Sequence, residues 1–178
     1  MDKLIAEAEN IELSGADLKA ITKQETNILA YHELEKYDSL KEFLGKDNCC
    51  IILYETQENR GHYCCVFLRP EDENVVEFFD PYGNPPDSQL KFASYNLKFG
   101  NPYLTHFLNK WKNNGGKVVY NDTKLQDWKP HINTCGRWCS TRILLKKQNI
   151  ETFVDLFTKN RFYRGDFWVS ALTYLFTD

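Results

Sequence analysis

The sequence predicts an α+β domain in which a central, mainly antiparallel sheet packs against a buried helix with a cysteine at its N-terminus, with further helices around. Three observations predict it. Residues 49–54, 62–68 and 75–79 are β-rich runs separated by polar turns at 56–60 and 70–74, as in an antiparallel meander. Cys135, Trp138, Cys139 and Ile143 recur at helical spacing, with Leu144 beside them. The 178 residues are 42% hydrophobic and 15% aromatic, enough apolar material for one domain with a sizeable core over residues 1–178.

Taken in order, residues 1–13 carry little pattern and are expected to pack loosely or fray. Ser14-Gly15-Ala16-Asp17 has the Ser-x-x-acid form of a capping box, so a short helix with Leu18 and Ile21 inward should follow. A second short helix is expected after Asp38 or Ser39, with Leu40, Phe43 and Leu44 inward and Gly45 as its stop. The first two β runs are apolar without alternation, which predicts strands covered on both faces, one of them by the Cys135 helix. Asp80-Pro81-Tyr82-Gly83-Asn84-Pro85-Pro86 ends the third run in a turn. Tyr103, Leu104, Phe107, Leu108 and Trp111 mark a helix, stopped by Gly115-Gly116 before a short strand over 117–120. Residues 121–133 read as a loop. The Cys135 helix follows, with Lys146 and Lys147 in its last turn. Two amphipathic helices close the chain over 151–159 and 166–176, with Phe153, Leu156, Phe157, Phe167, Val169, Leu172 and Leu175 as core.

Composition narrows the function. The 22 basic and 25 acidic residues leave a net charge of −3 without a basic tail or run, so a nucleic-acid partner is not suggested. No apolar run approaches the roughly 18 residues of a membrane span, and the first residues do not open onto a signal-peptide core. A soluble, intracellular protein with no membrane partner is expected, as a monomer by default. The six cysteines, Cys49, Cys50, Cys64, Cys65, Cys135 and Cys139, sit inside apolar strand or helix patterns, which favours reduced thiols over a disulfide framework. Zinc is a rival, because Cys135 and Cys139 lie at i, i+4 on one helical face; the absence of a CxxC pair speaks against it, and no cofactor is expected.

The chemistry-bearing residues gather at the ends of these elements. A thiol in a helix first turn faces unpaired N–H groups and the positive end of the helix dipole, which favour the thiolate. Gly136 beside it would leave room for a substrate backbone. A cysteine nucleophile needs a base and a group to orient that base. Of the four histidines, His32, His106 and His131 fall in loop or helix surroundings, whereas His62 begins a buried strand. Asp80 ends the strand expected to pair with it, so the hairpin should bring His62 and Asp80 side by side. Asp80 also suits the turn that it opens. With Cys135 at the adjoining helix mouth, the arrangement is Cys–His–Asp in the chain order His62, Asp80, Cys135.

Gly61-His62-Tyr63, Phe79-Asp80-Pro81-Tyr82-Gly83 and Asn133-Thr134-Cys135-Gly136-Arg137-Trp138-Cys139 resemble the three motif blocks of the adenain family of viral maturation proteases. They look closest to its virophage and Polinton-type members and fit the wider clan that includes SUMO-specific proteases. The resemblance covers roughly residues 48–145. It implies Cys135 as nucleophile, His62 as general base and acid, Asp80 as its orienter, and an upstream glutamine donating to the oxyanion. Gln126 is the candidate, farther upstream than is usual in the family, so residues 127–132 must loop out; Asn133 is the alternative donor. Gly136 and Tyr63 are carried as substrate-binding candidates. Tyr63 stands where adenain has tryptophan and Asp80 where it has glutamate, and neither change removes a required group. No cysteine lies between Asp80 and Cys135, so adenain's disulfide-tethered activator has no anchor here.

The resemblance therefore implies a thiol endopeptidase acting through an acyl-enzyme on capsid or other virion precursors with small residues flanking the cut. Its expected location is the virion and the host-cell cytoplasm. Two other readings stay open: a deconjugating protease for ubiquitin-like modifiers, and a non-catalytic binding module whose cysteines hold zinc.

Overall fold

The three apolar runs pair as the core of one sheet. In the computed structural model, which describes residues 1–23, 26–93, 100–159 and 162–177, the strands are β1 (Asn27–Ala30), β2 (Cys49–Gln57), β3 (Arg60–Arg69), β4 (Asp72–Phe79) and β5 (Lys117–Tyr120), in spatial order β1-β2-β3-β4-β5. The β2–β3–β4 meander is antiparallel, while β1 and β5 join its two edges in parallel, so the sheet is mixed. The helices are α1 (Asp2–Glu9), α2 (Gly15–Ile21), α3 (Leu40–Leu44), α4 (Tyr103–Asn113), α5 (Cys135–Leu144), α6 (Ile150–Thr158) and α7 (Gly165–Thr173), with single 3₁₀ turns at Tyr31–Lys36, Ser88–Phe92 and Tyr174–Phe176.

The lack of alternation in β2 and β3 has the expected cause. Successive strand residues face opposite sides of a sheet, and here both sides are covered. Cys49, Ile51, Leu53, Tyr63, Cys65 and Phe67 pack with Trp138, Cys139 and Ile143 of α5 and with Phe153, Phe157 and Val169 of α6 and α7. Their neighbours Cys50, Ile52, Tyr54, Cys64 and Val66 pack with Tyr31, Phe43, Leu104, Phe107 and Leu108 on the other side. The hairpin register sets Tyr54 opposite His62 and Glu55 opposite Gly61, with a bulge beyond. A Cβ on Gly61 would stand 1.9 Å from the Tyr54 carbonyl oxygen, so this approach admits only glycine.

Ser14 and Asp17 form the expected capping box, and Ser39 caps α3, which Gly45 stops at φ +69. The N-terminal expectation was wrong. Residues 2–9 form α1, with Ile5 and Ala8 buried, and α1 packs against α7. Glu9, 4% exposed, receives two hydrogen bonds from Arg164, 3.0 and 2.9 Å long, so a contact from the far end of the chain orders a segment with little local pattern. β1 and the Tyr31–Lys36 turn were not foreseen, because four residues paired on one edge give too short a signal. At the C-terminus, Leu156, Leu172 and Leu175 are exposed instead of core, since α6 and α7 bury only a narrow stripe containing Phe153, Phe157 and Val169. α5 ends at Leu144, so Arg142, not Lys146 or Lys147, occupies its last turn.

Arg142 joins α5 to β4. It is fully buried, and its Nε and Nη2 donate to the two carboxylate oxygens of Glu77 at 2.7 and 2.9 Å. Its other donors reach the carbonyls of Leu145 and Gln148, both at 2.8 Å, and the guanidinium lies 5.1 and 4.9 Å from the ring centroids of Phe67 and Phe153. Arg69 adds a second cation to Glu77 at 2.7 Å. Replacing Glu77 by alanine leaves the buried Arg142 without a counter-charge, while Arg69 keeps Glu71, so Glu77→Ala should lower the unfolding free energy by about 3–5 kcal/mol. In urea melts the same change at Asp155, whose pair with Lys159 is largely exposed, should move stability by less than about 1 kcal/mol.

Candidate active site

The β3–β4 pairing sets Cys65 opposite Phe79, so the first residues of β3 lie beside the residue that follows β4. His62 Nε2 and Asp80 Oδ1 are 2.7 Å apart, with His62 11% exposed and Asp80 fully buried. The carboxylate is held from all sides. Its Oδ1 also accepts from the Tyr82 N–H at 2.9 Å, and its Oδ2 accepts from Gln89 Nε2 at 3.2 Å. Asn121 fixes the Asp80 backbone, accepting from its N–H at 3.1 Å and donating to its carbonyl at 2.9 Å. The turn opened by Asp80 closes with Gly83 N–H donating to the Asp80 carbonyl at 2.8 Å. Tyr82 then lies flat on the imidazole, with centroids 4.6 Å apart and 16° between the planes.

Cys135 begins α5 at the mouth of the same cleft. Thr134, before it, donates its hydroxyl to Asp166 of α7, which also accepts from the Trp138 indole at 2.9 Å and from the Asp127 N–H at 2.9 Å. One buried carboxylate thus holds both the start of α5 and the loop that precedes it. Cys135 neighbours His62 at the cleft and, with Asp80, acts on its charge. With Nε2 taken by the carboxylate, Nδ1 is the nitrogen left for the thiol. Burial pulls the His62 pKa down, but the Asp80 bond and the neighbouring Cys135 outweigh it and raise the imidazole from its usual 6.5 to about 9. Burial likewise pushes the Asp80 carboxyl upward, and the His62 bond, with help from the Tyr82 N–H and Gln89, brings it below the ordinary carboxylate range.

None of the six cysteines forms a disulfide, and Cys135 alone among them is not buried. Burial pushes the thiols of Cys49, Cys50, Cys64 and Cys139 up. Cys139 does not share a ligand position with Cys135: it is fully buried, and its Sγ donates to the Tyr63 carbonyl at 3.3 Å. Among the described residues, the donor atoms of His62, Cys64 and Asp80 lie within 4.8 Å of one another, but His62 and Asp80 already bond directly. The remaining histidines lie elsewhere. His32 pairs with Glu55 at 3.0 Å, and His106 and His131 are exposed.

A cleft of about 440 Å³ opens over this line, bordered by His62, Cys135, Gln126, Tyr82, Trp128 and Arg60. Gln126 sits in the 121–133 loop, 2% exposed, with its N–H donating to the Pro81 carbonyl at 3.0 Å. Its Nε2 donates to the Ile132 carbonyl at 3.3 Å, which leaves one amide hydrogen free, and its Oε1 has no partner among the described residues. Asn133 also borders the cleft, but its side-chain amide donates to the Asn10 carbonyl at 2.8 Å and its N–H to Glu9 at 2.8 Å. Gly136 does not open space for a substrate. A Cβ there would meet Leu18 Cδ2 at 3.0 Å and Tyr63 Cδ2 at 3.4 Å, so the missing side chain lets α2 and β3 pack against α5. Tyr63 is part of that packing, 8% exposed, with its hydroxyl donating to the Leu13 carbonyl at 3.3 Å.

Asn121, Gln89 and Asp166 were not singled out from the sequence. Asn121 reaches Asp80 because β5 pairs in parallel with β4, Tyr120 opposite Phe78, a register without a local signature. Gln89 and Asp166 arrive from separate segments, and only the fold brings them in.

No family model matches the sequence. Sputnik virophage protein V9 is 37% identical over 149 residues, covering 82% of each chain. The crystal structure of the ASFV pS273R protease superposes with a TM-score of 0.55 at 12% identity, over 97% of this chain and 70% of that one, and shows a common fold. With that fold and with more than a third of the aligned residues identical over most of both chains, the protein belongs to the family of Sputnik virophage protein V9.

Proposed function

We propose that the protein is a cysteine endopeptidase, with Cys135 as nucleophile, His62 as general base and acid, and Asp80 as the residue that orients His62. The observation that carries this reading is the placement of Cys135, His62 and a buried, fully hydrogen-bonded Asp80 together at one cleft, with Cys135 the one cysteine that is not buried. The likeness of fold to the pS273R protease supports it.

In the first half-reaction the proton shared by Cys135 and His62 rests on the imidazole, whose pKa is raised, and the thiolate adds to the scissile carbonyl. The oxyanion accepts hydrogen bonds from the Cys135 N–H, which as the first residue of α5 has no intrahelical partner, and from the free amide hydrogen of Gln126. The adduct collapses as imidazolium protonates the departing amine, leaving a thioester. His62 then takes a proton from water, the hydroxide attacks the thioester, and the acid leaves with the thiolate restored. Asp80 stabilises the imidazolium without taking its proton, and Tyr82 covers one face of the ring. Family membership with a virophage protein supports a precursor of the virus particle as substrate, cut during maturation. Gly136 and Tyr63 then act as packing beneath the nucleophile.

The experiment that tests this reading is alkylation of the native protein with iodoacetamide, mapped by mass spectrometry. Cys135 should be modified first and the buried thiols should be spared. His62→Ala should slow the Cys135 reaction sharply; equal, slow labelling of several cysteines in both proteins would refute the reading. Asp80→Asn should lower kcat/KM by on the order of 10³–10⁴-fold. It should also move the alkaline limb of the pH profile, set near 9 by the raised His62 pKa, toward the ordinary imidazole value of about 6.5, because the proton is then released at lower pH. Gln126→Ala should lower kcat by on the order of 10²–10³-fold with little change in KM, as expected for a donor used mainly in the transition state.

A further inference from the structure

We propose that Trp128, with Tyr82 and Phe92, forms a shelf that selects a large apolar side chain of the substrate on the leaving-amine side of the scissile bond. The inference rests on the protease reading and specifies which substrates that site prefers.

Trp128 is 62% and Phe92 50% exposed, and both border the catalytic cleft. The three rings form one surface, with centroids 4.8 Å apart between Tyr82 and Trp128 and 6.0 Å between Phe92 and Trp128. Exposure of the indole does not come from a loose loop. The N–H groups of Leu125 and Gln126 both donate to the Pro81 carbonyl, at 2.9 and 3.0 Å, and the Asp127 N–H is fixed by Asp166. Phe92 ends the 3₁₀ turn that sends Gln89 to Asp80. The two segments that deliver polar groups to the catalytic line thus also hold an apolar surface open at its edge. Contiguous exposed aromatic area at the rim of a cleft marks a binding surface.

Side and distance follow from the chemistry. The imidazolium must reach the departing amine, so the C-terminal half of the substrate passes over His62. Tyr82 stacks on His62 at 4.6 Å and Trp128 lies one ring beyond. At about 3.3 Å per extended residue, the shelf meets the second or third residue after the cut. A basic side chain is disfavoured, because the Lys91 ammonium already lies 4.8 Å from the Phe92 centroid. At the other rim, the exposed Glu12–Arg60 pair, 3.6 Å apart, makes that end polar.

The test is digestion of a mixture of proteome-derived peptides by the purified protein, with cut sites read by mass spectrometry. Pairs of peptides that differ only as leucine or alanine at the second and third positions after the cut are then compared. Wild type should favour leucine at one of them by on the order of tenfold in kcat/KM. Trp128→Ala should bring that ratio to about one, and Trp128→Phe should largely keep it. A flat profile after the cut, a preference for acidic or basic residues there, or a Trp128→Ala variant that slows both peptides alike would overturn the shelf while leaving the protease reading intact. No cleavage of any peptide by wild type would overturn both.

Discussion

The bidentate bond between Arg142 and Glu77 is the constraint on which the rest of the site depends. Arg142 lies in the last turn of the helix that begins with Cys135, and Glu77 lies three residues before Asp80 on β4. One interaction therefore joins the two elements that carry Cys135 and Asp80, and His62 enters from the strand β3, paired with β4. A hydrophobic contact would hold helix to sheet about as strongly but would not set their register. A planar guanidinium forked onto a carboxylate fixes distance and rotation together. The aromatic faces of Phe67 and Phe153 and the carbonyls of Leu145 and Gln148 satisfy what remains of the charge.

At the opposite end of α5, Asp166 does the corresponding work with uncharged donors. It accepts from Thr134, Trp138 and the Asp127 backbone, so the Cys135 turn and the loop with Gln126 and Trp128 share one support. Arg164, two residues earlier, ties Asp127 to Glu9 and so adds α1 to the same support. Catalysis asks for atoms held to fractions of an ångström, and here the precision comes from buried carboxylates whose acceptor positions are filled.

The parts of this arrangement that were legible in the sequence were those with short-range causes. The meander, the capped α2 and α3, α4 with its Gly115-Gly116 stop and the cysteine-led α5 follow from periodicity and punctuation. His62 and Asp80 were linked by hairpin geometry alone. What could not be read depends on partners far along the chain. α1 has no pattern of its own and is ordered by Arg164, and β1 is four residues long and exists because β2 offers an edge. Gly136 was misread because the residues that fill its missing Cβ, Leu18 and Tyr63, come from other elements. The exposure of Leu172 and Leu175 was hidden for the opposite reason: their spacing suits burial, but no element among the described residues covers that face.

The shared support at the start of α5 has a consequence for the protein's birth. Glu9 leaves the ribosome long before Arg164 and Asp166, which follow it by more than 150 residues. Contacts of such separation carry a large loop-closure cost and form late in folding. A growing chain can build the β2–β3–β4 meander, and so bring His62 against Asp80, well before α7 exists. Until Asp166 arrives, Thr134 and the 127–128 turn have no anchor, and Cys135 has no fixed approach to His62. Cys135 is thus the last of the three residues to reach its place, and the order of the chain alone keeps the cleft unformed until α7 has folded.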